Sequence, residues 1–304
     1  MAKGLKRLGE VLIARSGLSR LALRLLDPSA VVLTYHNVIP KNERMTGDPG
    51  VHLTQESFGI HLDTLAATHE IVPLVSLLAE GAENRGRRAA ITFDDGYQGA
   101  LTAGIEELAA REFPATFFIS PGLLGSRGFW WDLLAPAGEG PLSHDLRKRG
   151  LNDLGGRQEQ ILAWARKEGV SFTDLPDHAR PSDEGLLLEV AKTAGIWMAS
   201  HTWTHPNLAR IGQEDLAFEL SQPIRWLEER ELRQAPWLAY PYGLFREEAV
   251  SEVANHYDGA VAVDGGLAMR RGSNRGGAYR VPRVSMTGGV SREGLSLRLA
   301  GLVD

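Results

Sequence analysis

Two adjacent carboxylates, Asp94 and Asp95, end the short apolar run Ala89-Ala90-Ile91-Thr92-Phe93, and Gly96 follows at once. A short apolar run that stops at a glycine reads as a buried parallel strand of an α/β protein. The acids then sit at its carboxyl end, where such folds place their chemistry. Neighbouring strand residues point to opposite faces, so the two acids take different tasks only if the chain bends there, a freedom Gly96 supplies. Further on, Ser200-His201-Thr202-Trp203-Thr204-His205 follows the apolar run Gly195-Ile196-Trp197-Met198-Ala199, with three residues between its histidines. Neutral imidazole is the commonest protein ligand for zinc and similar divalent metals, and such a pair converges on one ion if the segment turns. A carboxylate from another strand end would complete a three-ligand site with positions open for water and substrate. Taken alone, an Asp-Asp-Gly turn reads more simply as solvated acids, and a lone His-x-x-x-His pair reads equally as structural. Together in one α/β chain they favour a metal site.

The elements that must position these residues alternate along the chain. Ala30-Val31-Val32-Leu33-Thr34-Tyr35 reads as the first buried strand and ends at His36. Helical spacing over Thr54–Glu70, at Phe58, Leu62 and Leu65, precedes the strand that carries the acids. Gln98–Phe113 reads as a helix and Ala115–Ile119 as the next strand. Strand, helix and strand in succession imply parallel neighbours with a right-handed crossover. Residues from about 125 to 182 break the pattern: Phe129-Trp130-Trp131-Asp132 is dense in aromatics, and charged helical patches follow. This stretch is expected to be an insertion forming a lid or wall, its aromatics either stacking on a sugar ring or anchoring the insertion. Alternation resumes with a helix at Asp183–Thr193, a helix at Gln213–Arg230, a strand at Trp237–Tyr240, a helix at Arg246–His256, and strands at Gly259–Val263 and Tyr279–Val284.

With 304 residues the chain can bury a full core. A net charge of −5 with interspersed signs argues against a nucleic-acid partner. The chain has no cysteine, so disulfides and thiolate metal sites are excluded and a metal would need His, Asp or Glu. Residues 1–28 mix Lys and Arg with Leu, Val and Ile at helical spacing, without the unbroken apolar centre of a signal peptide. Such a helix can lie on an anionic membrane surface or pack on its own domain. The expected division is an amphipathic helix at 1–28, a catalytic domain at 29–290 and a C-terminal tail or helix at 291–304.

Thr92-Phe93-Asp94-Asp95-Gly96 and Ser200–His205 resemble the first two motifs of the polysaccharide deacetylases (NodB-homology domain, carbohydrate esterase family 4). Ala239-Tyr240-Pro241-Tyr242-Gly243 resembles their third motif, so the likeness spans most of Ala30–Val284. It implies an α/β fold, a distorted (β/α) barrel of the NodB-homology type, with a mostly helical insertion between motifs one and two. Position by position it implies Asp95, His201 and His205 as ligands of a divalent metal ion, zinc first among them. Asp94 would be the general base, and the backbone N–H of Tyr242 would help to hold the oxyanion.

The chain also departs from that pattern. The family's late Leu-x-His motif is Val281-Pro282-Arg283 here, and no histidine follows His256. Some members, including permuted bacterial poly-N-acetylglucosamine deacetylases, carry Tyr-His at the end of the first strand. Tyr35-His36 matches them, so His36 is assigned as the general acid. Ala239 stands where the third motif has its usual arginine. Arg283 is assigned to orient Asp94, and Asp264 to orient His36; both also have a plain reading as surface or strand-end residues. The expected activity is metal-dependent removal of acetyl groups from N-acetylated sugars of a glycan or lipid-linked glycan. The alternatives are a related amidohydrolase on a non-sugar amide and an inactive glycan-binding module. The expected compartment is the cytoplasm, with peripheral contact at the inner membrane surface, and the oligomeric state is left open.

Overall fold

Strands β1 (Ala30–Tyr35), β5 (Arg88–Phe93), β6 (Ala115–Ile119), β7 (Ile196–Ser200), β8 (Gln234–Ala239) and β9 (Gly259–Ala262) are almost wholly buried, as their apolar runs require in a sheet covered on both faces. The computed structural model describes residues 30–77, 86–136, 140–263, 277–300 and 302. The expected N-terminal helix at 1–28 and Asp264 lie outside the described residues. Among the described residues all strand pairings are parallel, in the order β9-β8-β7-β6-β5-β1, and the short β4 (Glu70–Ile71) also pairs with β5.

Both outer edges of that row are taken by one segment. Strand β10 (Val281–Pro282) pairs with β9, and β11 (Val284–Ser285) pairs with β1. Arg283, between them, donates its backbone N–H to Ala262 O at 3.0 Å, and Met286 donates to Thr34 O at 2.9 Å. The stretch read from sequence as one strand at Tyr279–Val284 is thus two short ladders facing opposite neighbours. Together they close a distorted (β/α) barrel.

Period-two alternation sorts the strand residues. Ala30 and Val32, Ala90, Phe118, Ala199, Trp237 and Ala239, Val261 and Val281 pack together as one cluster, the barrel interior. Val31, Leu33 and Tyr35 instead join Phe58, Leu62 and Leu65 of helix α1 (Gln55–Ala66) in the larger core outside it. Thr54 caps α1 by accepting the N–H of Ser57. The helical stretch after β5 contains a π turn at Ala100–Gly104 and ends with helix α2 (Ile105–Ala109), short of the Phe113 expected. It lies against strand β2 (Asn37–Ile39), where a Cβ on Gly99 would come within 2.3 Å of Val38 O. Strand β3 (His52–Thr54) pairs with β2 in a separate small parallel sheet that the sequence did not suggest.

Between β6 and β7 the chain is mostly helical: α3 (Trp130–Leu133), α4 (His144–Lys148), α5 (Gln158–Lys167) and α6 (Glu184–Val190). The long helix α7 (Gln213–Glu229) and helix α8 (Glu247–Val253) separate β7, β8 and β9. Helix α9 (Arg292–Leu299) packs its Leu295 and Leu299 into the core around α1. Among the described residues, no helix is long and apolar enough to cross a membrane.

Candidate active site

Alternation carries the chemistry to the carboxyl-terminal rim. One step of period two beyond Thr34, Thr92, Ala199 and Val281 stand His36, Asp94, His201 and Arg283, so four separate strands deliver side chains toward one axis. Asp95 belongs to the opposite face by parity, and the backbone corrects this. Asp95 itself adopts φ 72°, before Gly96 at φ 81°, and Gly96 N donates to Asp94 O at 2.9 Å. The left-handed turn therefore begins one residue earlier than the glycine alone suggests. Thr202 (φ 64°), His205 (φ 58°) and Tyr242 (φ 58°) share this conformation, which side-chain-bearing residues seldom adopt. Such strain collects where surrounding structure over-determines a functional geometry.

The histidine segment is pinned at both ends. His201 N donates to Ile119 O at 2.8 Å, and Ser120 Oγ donates to His201 O at 2.8 Å. Glu219 of α7 accepts the Thr204 N–H at 2.7 Å and the Thr204 hydroxyl, and its main-chain carbonyl accepts from Trp203 N at 3.1 Å. The resulting turn brings His205 Nε2 to 3.0 Å from His201 Nε2 and to 3.2 Å from Asp95 Oδ1. His201 Nε2 is 3.5 Å from the same oxygen. All three residues are buried.

This arrangement fits a cation. His201 Nδ1 lies 2.8 Å from Ala239 O and donates to it, so the Nε2 lone pair faces the cluster. Asp95 Oδ1 is buried without a well-formed hydrogen bond. One ligand atom from each of Asp95, His201 and His205 lies within 4.8 Å of the others. Burial alone would raise the Asp95 carboxyl pKa, but the closely placed imidazoles of His201 and His205 hold it below the usual range. Burial pulls His201 down, yet Asp94 and Asp95 outweigh it and raise this imidazole. His205 is lowered, by burial and then by its neighbour His201. Asp94 and Asp95 thus make the pocket favour positive charge, and a metal bound there would require both imidazoles neutral.

Beside it, Arg283 grips Asp94 with both arms of its guanidinium, at 2.7 Å to Oδ1 and 2.6 Å to Oδ2. The same arm donates to Thr92 Oγ1 at 3.1 Å. Asp94 is also 3.9 Å from His201 Nε2. Burial opposes ionisation of Asp94, but the Arg283 charge dominates with help from His201, and the pKa is lowered. His36 is half-buried at the end of β1. Tyr242 lies over the other side, its ring centroid 4.4 Å from that of His205 and nearly perpendicular at 76°.

The insertion supplies a wall that sequence reasoning described only loosely. Trp131 sets its ring 5.1 Å from His205 and 5.7 Å from Tyr242. Trp130 and Trp131 are buried with both indole N–H groups taken, so they anchor the insertion. Tyr97 and Asp132, which hold Trp131, were not singled out as site residues. The one signal was a lone acid, Asp132, set inside the apolar run Phe129–Ala135.

The sequence model of polysaccharide deacetylases matches residues 81–258. Asp94, Asp95, His201, His205 and Tyr242 fall within that span, whereas His36 and Arg283 lie outside it. Among solved structures, the deacetylase PplD of Streptococcus pyogenes, in complex with acetate, is similar with a TM-score of 0.59 at 15% identity, covering 89% of this chain and 97% of that one. IcaB of Ammonifex degensii gives 0.59 at 17%, covering 90% and 97%. A de-N-acetylase of Aggregatibacter actinomycetemcomitans gives 0.60 at 14%, covering 88% and 99%. At these identities the likeness speaks for a shared fold. The family match covers more than half of the chain and contains the acids and imidazoles that converge at the rim, so the chain belongs to the polysaccharide deacetylase family.

Proposed function

We propose that this protein is a metal-dependent N-deacetylase that removes acetyl groups from the N-acetylated sugars of a glycan. The observation that carries the reading is the cluster of Asp95, His201 and His205 beside an Asp94 kept ionised by Arg283. These three residues would hold a divalent cation, zinc first among candidates for a site of two imidazoles and a carboxylate. Such an ion polarises an amide carbonyl and acidifies water.

The chain's own groups divide the remaining work. Asp94 accepts the proton of the attacking water as general base. Arg283 holds both carboxylate oxygens and so fixes the direction in which that proton is taken. The backbone N–H of Tyr242 donates to the oxygen that gains charge as the carbonyl carbon becomes tetrahedral. His36, just past the end of β1, donates a proton to the departing sugar amine, without which the C–N bond of a stable amide does not break. The products are acetate and a glycan amine.

Acetate release from N-acetylglucosamine oligomers by chelator-stripped protein, with and without added zinc, tests this. Metal-restored release supports it; equal release with and without metal, or none from any N-acetylated glycan, contradicts it. The basic amphipathic sequence at residues 1–28 supports a lipid-linked glycan met at a membrane surface. Flotation of the full chain, but not of one starting at Ser29, with anionic liposomes would bear that out.

A further inference from the structure

The two imidazoles are not held alike. His201 is oriented by a hydrogen bond from Nδ1 to Ala239 O at 2.8 Å, whereas His205 Nδ1 is buried with no hydrogen-bond partner. A histidine that ligates a metal nearly always donates its second ring N–H to an acceptor, which fixes the plane of the ring. His205 lacks that device and is instead enclosed by two aromatic faces, Tyr242 at 4.4 Å and Trp131 at 5.1 Å between centroids.

Neither face is free to drift. Trp131 Nε1 donates to Tyr97 Oη at 2.8 Å, and Tyr97 in turn donates to Asp132 Oδ2 at 2.6 Å. The other oxygen of Asp132 accepts from Asp48 N at 2.7 Å and from His52 Nε2 at 3.0 Å. Asn37, next to His36, donates to His52 Nδ1 at 2.9 Å, which leaves the ring proton on Nε2, facing Asp132. Trp130 Nε1 holds the second face by donating to Tyr242 Oη at 2.8 Å. Asn37, His52, Tyr97 and Asp132 are fully buried, and the bonds from Asn37, His52, Trp131 and Tyr97 run toward Asp132. An acceptor placed there, and nowhere solvated, serves orientation.

Resting on the deacetylase reading above, we propose that the insertion completes the metal site. Asp132, through Tyr97, is a positioning residue that presses Trp131 against His205, and the Trp131–Tyr242 clamp replaces the missing hydrogen bond on Nδ1. The test is zinc affinity, measured by competition with a chromogenic chelator on the full chain. Tyr97→Phe keeps the ring and removes the hydroxyl that links Trp131 to Asp132; Asp132→Asn keeps the shape and removes the acceptor. Each is expected to weaken zinc binding about 10- to 100-fold, the usual loss when an orienting partner of a metal ligand is removed. In a His205→Ala background, Tyr97→Phe is expected to change zinc affinity less than about twofold, because the ligand it orients is gone. Wild-type affinity in Tyr97→Phe, or the same loss with and without His205, would overturn the proposal. Tyr97→Phe carries the test if Asp132→Asn does not fold. Zinc binding is read without turnover, so a wild-type protein that releases no acetate would refute the activity and leave the clamp standing.

Discussion

Replacing Arg283 by leucine takes away the guanidinium that grips both oxygens of Asp94, at a point where the arginine is 1% exposed and the aspartate 2%. Breaking a buried pair by removing one partner leaves an uncompensated charge and costs about 3–5 kcal/mol. At about 2.1 cal/mol/K per residue, each kcal/mol moves the Tm of a 304-residue chain by about 1.6 °C, so the expected loss is about 5–8 °C near neutral pH. The sign with pH follows from Asp94, whose pKa in the folded protein is lowered. Stability from such a group is present above the ordinary carboxylate range and is lost as pH falls through the folded value. The gap in Tm between wild type and Arg283→Leu should therefore be widest at neutral pH and narrow in acid. Asp94→Asn combined with Arg283→Leu should recover part of the loss, because no charge is then buried alone. For turnover, burial without the arginine raises Asp94, so the acid limb of kcat/KM against pH should move to higher pH in Arg283→Leu. Scanning fluorimetry across pH and acetate release measure the two. A Tm difference that does not change with pH, together with an unmoved acid limb, would refute the argument that Arg283 sets the charge state of Asp94.

His36→Ala should abolish most acetate release while leaving the zinc content of purified protein unchanged; full turnover in that variant would remove His36 from the proton donation assigned to it. His205→Ala should instead lower zinc retention, which elemental analysis reads directly. His69 is buried, and burial with the nearby charge of Arg87 lowers its pKa to about 4. The unfolded chain takes up that proton near pH ~6.5, so stability drains away as pH falls from there toward 4, by about 3 kcal/mol in all. His69→Leu should lose less than wild type over that interval, and parallel Tm curves would count against it.

How much of this was visible in the residues alone depends on distance along the chain. Ala89–Phe93 with its acids, and Ala115–Ile119 after its helix, could be read because an apolar run and the turn that ends it are local features. Their parity then brings Asp94, His201 and Arg283 together once the sheet is closed. Closure itself was not legible. Nothing in Val281-Pro282-Arg283-Val284-Ser285 says that its two halves pair with β9 and β1, because alternation specifies faces and leaves neighbours open. The turn at Asp95 was placed one residue late, since a left-handed conformation is expected of glycine before an aspartate. The network on Asp132 was hidden for a different reason. Asn37, His52, Tyr97 and Asp132 come from four separate segments, and each alone looks like an ordinary polar residue.

The central claim is that Asp95, His201 and His205 bind one divalent ion. X-ray absorption at the zinc edge, on protein carrying one equivalent of zinc, tests it most directly. Two imidazole nitrogens and oxygen donors at about 2.0–2.2 Å are predicted, with the imidazole signal reduced in His201→Ala. A zinc environment without imidazole, or a spectrum unchanged by that substitution, would contradict it.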